Sequence, residues 1–553
     1  MRSYLLALSV LTYAAATYAQ TLDDALRFSE VNPLGTARSL GTANSMAAIG
    51  ADWTAVQANP AGLGMYRFNE ITATPSVVFS GTRDAILDEG RSLTGDDNST
   101  FALPQIALVL TREPIGSRWT QLNFGIGVSQ TNRLEEQITF RGSSPGSISD
   151  LWLDEANFYD LSQGFRLTDE FTGLPLLSPN TRRRDELSPF GAGLALDVQA
   201  LNASDGGTVP EFYFTDYDEF GRFVEEVTVT GTSIGDSTFL TRSLGTALEK
   251  EGTVTREGYS SAVDFSLAGN FEERLLIGAT VGIVNTSFTE SNLYGESDPL
   301  DSVAFFDRLS FRQNQIVDAT GVLFRVGATY LVSPAFRIGL AYHSPTFMSV
   351  TDNYTATVEY TFTDPNEGTS SGSATSPNAD VLEYNFRTPS QYRLSLGSVI
   401  GRNGFVGAEL NYLDYSGGRF RFEEGTDPGN AEDDRNALLD SDLQAAFQVR
   451  LGGELKVNDF AVRLGAEYLQ SPLTPIDDDA EEASFGFSGG LGYRAGRFSA
   501  DAAYKINFRP DRTYRPYTVV PFDFPQPEVE YTSVLGYLAV TVGWKITPKI
   551  TES

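Results

Sequence analysis

From residue 67 onward, apolar side chains recur at every second position. Leu122, Phe124, Ile126 and Val128 alternate with Asn123, Gly125, Gly127 and Ser129, and Leu275, Ile277, Ala279, Val281 and Ile283 alternate with Leu276, Gly278, Thr280, Gly282 and Val284. The clearest run is the last, in which Leu538, Val540, Val542, Trp544 and Ile546 oppose Tyr537, Ala539, Thr541, Gly543 and Lys545. A period of two is a strand with one apolar face, which suits either a half-exposed antiparallel sheet or a barrel wall facing lipid. The connections separate these. Short turns near 114–116, 272–274, 333–335, 401–403, 457–459 and 495–497 alternate with long acidic loops near 81–99, 142–253, 292–314, 364–380, 416–442, 471–483 and 509–528. Short periplasmic turns and longer external loops are the habit of outer-membrane barrels, and the count comes to about fourteen strands, an even number. The expected fold is all-β: an antiparallel transmembrane barrel over residues 67–546 with both ends on the periplasmic side.

Residues 20–66 break this pattern. Thr21-Leu22-Asp23-Asp24 has the form of a capping box with Asp in place of Glu, opening a short helix through Phe28. Gly35, Gly41 and Gly50 punctuate the residues after that helix, and the stretch ends in the turn Asn59-Pro60-Ala61-Gly62. Met46, Ile49, Trp53 and Val56 are expected to be buried, making the stretch an N-terminal hatch of short helices that fills the barrel. Ahead of it, Met1-Arg2, the apolar run Leu5–Ala16 and Thr17-Tyr18-Ala19 read as a signal peptide over residues 1–19.

The 142–253 insertion carries structure of its own. Residues 149–156 read as a short amphipathic helix, residues 239–248 as another, and residues 212–230 as a hairpin. Leu151, Trp152, Leu153 and Phe158 are candidates for a hydrophobic landing site at the mouth; the bland alternative is a decorative loop.

Composition narrows the functions. Among 553 residues there is no Cys, which removes disulfides and thiolate chemistry, and the net charge of −32 excludes nucleic acid as a partner. A mean hydropathy of −0.18 is compatible with a membrane barrel, because only alternate strand residues face lipid. Fixing the lipid face places Asp264, Arg325, Arg337, His343, Arg393, Glu409, Arg450, Glu454, Arg463, Glu467, Asp501 and Lys505 on the lumen side. An Arg or Lys facing mid-bilayer costs about 2–4 kcal/mol, so these belong inside. They either brace the wall as ion pairs or leave a cation among Arg325, Arg337, Arg393, Arg450, Arg463 and Lys505 to hold an anionic head group. The acidic loops are a solvated surface, or a place where divalent cations bridge to lipopolysaccharide. No EF-hand spacing is present, and neither metal nor cofactor is expected. His343 is the single His and no nucleophile is paired with it by sequence, so no enzyme is expected.

Four segments carry a resemblance. The hatch end Asn59-Pro60-Ala61-Gly62-Leu63, the strand Gly339-Leu340-Ala341-Tyr342-His343-Ser344-Pro345, Thr388-Pro389 followed by Tyr392-Arg393-Leu394-Ser395-Leu396-Gly397, and Glu409-Leu410-Asn411-Tyr412-Leu413-Asp414-Tyr415-Ser416 resemble the long-chain fatty acid outer membrane transporter family (the FadL/TodX type). The resemblance implies a monomeric, fourteen-stranded, hatch-plugged barrel that passes hydrophobic small molecules, long-chain fatty acids or hydrocarbons, inward by diffusion. It also implies a kinked strand that opens the wall toward lipid, which Gly125 and Gly127 in the third strand are expected to provide. The large insertion and the acidity depart from the family pattern and leave a second expectation open, a non-transporting barrel serving as an assembly or protein-secretion partner.

Overall fold

The computed structural model describes residues 22–30, 32–87, 97–149, 151–152, 188–198, 200, 202–203, 212–217, 223–229, 239–240, 247–300, 306–364, 368–376, 380–423, 431–474, 483–517 and 527–546. Fourteen antiparallel strands form its wall. They are β1 (Asn69–Leu87), β2 (Asn98–Arg112), β3 (Trp119–Arg133 continued by Glu136–Pro145), β4 (Ala247–Phe271), β5 (Leu275–Ser297) and β6 (Arg308–Leu331). Next come β7 (Phe336–His343 and Phe347–Asp364), β8 (Asp380–Arg387 and Gln391–Ile400) and β9 (Gly404–Asp414 with Arg419–Arg421). The last are β10 (Ala445–Val457), β11 (Phe460–Leu469), β12 (Ser484–Ala495), β13 (Phe498–Tyr514) and β14 (Val529–Ile546). Each pairs with the next, and β14 returns to β1 from Asn69↔Ile546 to Leu87↔Val529. Closure leaves no sheet edge, which is what a bilayer demands of a spanning sheet.

The alternation places one face outward. On β5 the exposed residues Ile277, Val281 and Ile283 give way above to Asn285. On β11 the run from Phe460 to Tyr468 matches the roughly 9–11 residues a tilted spanning strand needs. Aromatic girdles bound the band. Trp119 with Phe271 and Phe460 with Tyr493 lie beside the short turns, while Tyr342, Tyr392, Tyr412 and Phe447 form a contiguous row at the other boundary. Such girdles are the interfacial signature of these barrels. Among the described residues no helix is long and apolar enough to cross a membrane; this architecture, a closed barrel with a lipid-facing band, is that of a Gram-negative outer-membrane protein.

Several strands continue well above the band, so the external connections are shorter than expected. β3 runs to Pro145 and β4 starts at Ala247, which trims the insertion to 146–246 from the expected 142–253. Polar residues on both faces hide the alternation once a strand leaves lipid. The expected hairpin is present as Phe212–Tyr217 paired with Phe223–Val229. The helix expected at 239–248 is not: Phe239–Leu240 pairs as a strand with Asn202–Ala203, and Ala247 already belongs to β4.

The hatch occupies the lumen. It comprises α1 (residues 22–29), α2 (Ala37–Leu40), α3 (Trp53–Ala58) and a 3-10 turn, Pro60–Met65. Thr36 caps α2 and Asp52 caps α3 through side-chain oxygens that accept from Ser39 N and Thr54 N. Above the band, Ile138, Phe140, Ile148, Trp152, Tyr294, Phe311 and Val529 pack with α4 (Ala192–Asp197) into a separate apolar cap.

Candidate functional site

The hatch is tied to the wall at its C-terminal turn. Asn59 ends α3 and caps the 3-10 turn: its backbone N–H donates to Ala55 O at 2.9 Å, and its Oδ1 accepts from Ala61 N at 3.1 Å. Its Nδ2 donates to Thr329 Oγ1 at 3.1 Å on β6. Pro60 begins the turn, where its missing N–H costs nothing. Gly62 O accepts from Ala51 N at 3.1 Å, and Asn59, Pro60, Ala61 and Gly62 are all buried. His343 Nε2 lies 3.0 Å from Ala58 O, and Gln57 Nε2 donates to Asp264 Oδ2 at 2.9 Å. The end of α3 and the motif thus dock against β4, β5, β6 and β7 before the chain enters β1.

Every charged residue assigned to the lumen faces it. Most form ion pairs. Asp264 accepts from Arg325 at 2.7 Å. Glu409 is shared by Arg393 at 2.7 Å and Arg450 at 3.2 Å; Glu467 is shared by Arg450 at 2.8 Å and Lys505 at 2.9 Å. Lower down, Glu454 takes Arg463 at 2.8 Å and the hatch residue Arg38 at 3.0 Å, while Asp501 takes Arg463 at 2.8 Å. Arg337 differs. Its Nη1 donates to the hatch carbonyl of Ile49 at 2.9 Å, and among the described residues no carboxylate pairs with it.

Arg325, Arg393 and Arg450 meet in a chamber between α1 and the hatch core. Its apolar part comes from Phe28, Val284, Leu323 and Met348, and its polar part from Gln57, His343, Thr346, Thr388 and Gln391. Two donors there are unused: Arg393 Nε and Arg450 Nη2 are buried without an acceptor among the described residues, and Glu409 Oε2 is likewise unpartnered. Along Arg393–Glu409–Arg450–Glu467–Lys505 three cations face two carboxylates. Space is scarce, about 60 Å³ of water-accessible cavity.

α1 roofs the chamber. Arg27 pairs with Asp24 within the helix and stacks over Phe288, 3.4 Å from the ring centroid; Tyr384 OH donates to Asp24 Oδ2 at 3.1 Å, and Phe28 packs on Phe386. Opposite, on the part of β7 above the band, Asp352 accepts from Gln315 Nε2 at 2.7 Å. Burial and the neighbouring Asp24 push the Asp352 carboxyl up to about 7, and burial also raises Asp24.

The other expected site residues fall elsewhere. Trp152 is 2 % exposed and packs edge-on against Phe311 at 5.4 Å, with Leu151 beside it. It is a core residue of the cap and offers no landing surface; Leu153 and Phe158 lie outside the described residues. Gly125 and Gly127 pair in unbroken register with Val109 and Ala107, so they do not kink β3. They leave room for Trp53, whose indole lies 2.5 and 2.6 Å from where a Cβ at those positions would sit. The register of β3 against β4 shifts between Trp119 and Gln121 and between Gln130 and Asn132 instead, and the β2–β3 ladder ends at Gln105↔Ser129. Beyond it Asn98–Ala102 pair with β1, and the outer part of β3 with β4. The sequence signal for that parting is Pro104, which has no N–H for a ladder.

No protein-family model and no curated protein sequence matches the chain. Solved structures do. A Pseudomonas aeruginosa FadL homologue superposes with a TM-score of 0.50 at 15 % identity, covering 93 % of this chain and 99 % of that one. The Pseudomonas putida toluene transporter TodX gives 0.43 at 14 % over 93 % and 99 %, and the Ralstonia pickettii toluene transporter TbuX gives 0.42 at 14 % over 92 % and 98 %. With fourteen strands closed by β1–β14 and the lumen filled by the chain's own N-terminus, the protein has the fold of a FadL-type outer-membrane barrel.

Proposed function

We propose that the barrel conducts hydrophobic small molecules across the outer membrane by passive diffusion, and that its substrates are single-chain carboxylic acids rather than neutral hydrocarbons. The observation that carries this reading is the pair of unused, buried donors Arg393 Nε and Arg450 Nη2, set in a cluster with one more cation than carboxylate. An arriving carboxylate would supply the missing acceptor, and a charge-assisted hydrogen bond in such a place contributes about 1.5–3 kcal/mol. Entry requires α1 to move, since the chamber beneath it holds about 60 Å³ and pockets for drug-sized ligands run to roughly 300–1,000 Å³. The parting of β2 from β3 above Gln105 is the reading's route to the lipid phase.

Proteoliposomes loaded with an indicator of fatty-acid entry test this. Wild type is expected to pass a long-chain acid faster than the alcohol of equal length. Arg393→Gln, which leaves Glu409 paired with Arg450, is expected to slow the acid by about tenfold or more and leave the alcohol unchanged. Equal rates for acid and alcohol in both proteins sink the carboxylate assignment, and no transport of either sinks the channel. The second reading, a barrel that transports nothing and serves as an assembly or secretion partner, is favoured by one observation, the tight packing of the chamber; it is what the null result would leave standing.

A further inference from the structure

Three neighbouring strands lose their ladder at one level. β7 breaks between His343 and Phe347, β8 between Arg387 and Gln391, and β9 between Asp414 and Arg419. The breaks fall at Ser344-Pro345, Thr388-Pro389 and Tyr415-Ser416. Pro345 and Pro389 have no N–H to bridge the gap. In place of the ladder, Thr388 N donates to Thr346 O at 3.1 Å and Thr346 N to Thr388 Oγ1 at 2.9 Å.

The two sides of this seam differ. Inside it lies the chamber, with Thr346, Thr388, Gln391 and Arg393 in its lining. Outside and just below lies an apolar groove of about 950 Å³ on the lipid face, bounded by Leu340, Tyr342, Tyr392, Leu394 and Leu410; Arg393 reaches it only through its strand backbone, its guanidinium turning inward to Glu409 and Gln391. The groove has apolar space and no charge to offer, whereas the chamber has cationic donors and almost no space. A molecule with a carboxylate head and a hydrocarbon tail needs one of each, and the two adjoin at Arg393.

We propose that the aligned breaks form a lateral seam between the chamber and the outer leaflet, separate from the parting of β2 and β3. In this arrangement the groove is the seat for the tail of a single-chain carboxylic acid whose head group lies at Arg393. Opening requires the two Thr346–Thr388 hydrogen bonds and the 3.4 Å hydroxyl contact of Tyr342 with Ser390 to separate, with no register change in β7 or β8. The proposal rests on the carboxylic-acid reading of the chamber, and adds a place for the tail and a second way through the wall.

The chain has no Cys, so a Thr346→Cys/Thr388→Cys pair introduces the only thiols. The probe is a long-chain fatty acid with a diazirine at its tail, added to the full-length barrel in proteoliposomes. In wild type and in the reduced pair, labelling is expected on the Leu340 and Leu394 peptides, to be lost when the pair is oxidised and regained on reduction. Ala328→Phe, on the lipid face within the groove, needs no disulfide to form and is expected to lose the same labels while remaining heat-modifiable. Labels confined to β2 and β3 in a wild type that takes up the acid overturn the seam alone. Labelling of the groove that persists after oxidation, or that is equal for a diazirine alcohol of the same length, also overturns it, the latter showing a surface that takes any bilayer hydrocarbon. A wild type that neither takes up nor labels overturns both readings.

Discussion

At the scale of the residue, the seal between hatch and wall is made by absent side chains. Glycine in a strand signals either a bulge or a close approach of something else, and the sequence does not distinguish them. Gly125 and Gly127 read as a kink by sequence, and both serve close approach, giving the Trp53 indole a flat bed while its Nε1 donates to Ser129 Oγ at 3.0 Å. Gly278 faces a harder neighbour, since a Cβ there would lie 2.4 Å from the backbone carbon of Pro60. Trp53 meets its glycines with a side chain, which has rotatable bonds to adjust, whereas Pro60 meets Gly278 with backbone fixed through the bonds of Asn59 to Ala55, Ala61 and Thr329. Overpacking a filled site costs about 1–3 kcal/mol, and here the hatch, not the continuous ladder, would yield. Gly278→Ala is therefore expected to raise leak of a small hydrophilic dye more than Gly127→Ala. Gly489→Ala, whose new carbon would find only ordinary contacts at 3.8 Å, is expected to leave leak at the wild-type level. A dye-efflux comparison of the three checks the order, and equal leak in all of them would show that the hatch is not sealed by these contacts.

At the scale of the element, the hold of α1 is expected to depend on pH. Asp24 on the helix and Asp352 on β7 are both raised, by burial first and then, for Asp352, by Asp24 itself; Arg27, Arg435 and Tyr384 face the same place from α1, from α5 (Ala431–Asp442) and from β8. A carboxyl whose folded value is raised binds its proton more tightly when docked. Its contribution is fully present below the ordinary Asp value near 3.8 and is lost as pH rises through about 7 for Asp352. Docking of α1 is thus expected to weaken as pH rises from about 4 to about 7, read as faster amide exchange across residues 22–30. Asp352→Asn is expected to flatten that dependence. Unchanged exchange over the range in wild type would remove α1 as a pH-sensitive roof. The helix itself was legible, since a capping box announces its start. The strands were legible only where lipid makes one face uniformly apolar. Above the band water accepts either face, the alternation fades, and β3 and β4 ran on unannounced while residues 239–248 posed as a helix. The chamber shared that fate. Its cations were visible as charges on a wall that must face inward, but which of them lack acceptors depends on geometry that joins Glu409 to two strands at once.

At the scale of the whole molecule, the hatch is bound to the wall by apolar packing around Leu34, Leu40, Trp53 and Leu63 and by polar ties such as Gln57–Asp264 and Arg38–Glu454, yet the wall closes on itself without it. Among the described residues no hatch residue pairs in the fourteen-strand ladder, and the wall carboxylates Asp264 and Glu454 that hold the hatch have partners on the wall as well. Asp264 keeps Arg325 when Gln57 is gone, and Glu454 keeps Arg463 when Arg38 is gone. That redundancy matters, because removing the sole partner of a buried charge costs about 3–5 kcal/mol, and several such losses together exceed what a domain can spare. A variant lacking residues 20–66, with residues 1–19 retained, is therefore expected to reach the outer membrane and to keep the heat-modifiable mobility of a closed barrel. The lumen it leaves is lined by Arg325, Arg393, Arg450 and Arg463 and their carboxylates, so it is expected to be wet and to conduct ions in a planar bilayer where the full-length chain does not. Facilitated passage of long-chain acid over alcohol should vanish with it, since an open aqueous pore no longer presses a substrate against Arg393. A deletion variant that folds but stays non-conducting would place the seal in the apolar cap around Phe140, Trp152 and Tyr294 instead. One that fails to assemble would make the hatch a part of the barrel's folding core.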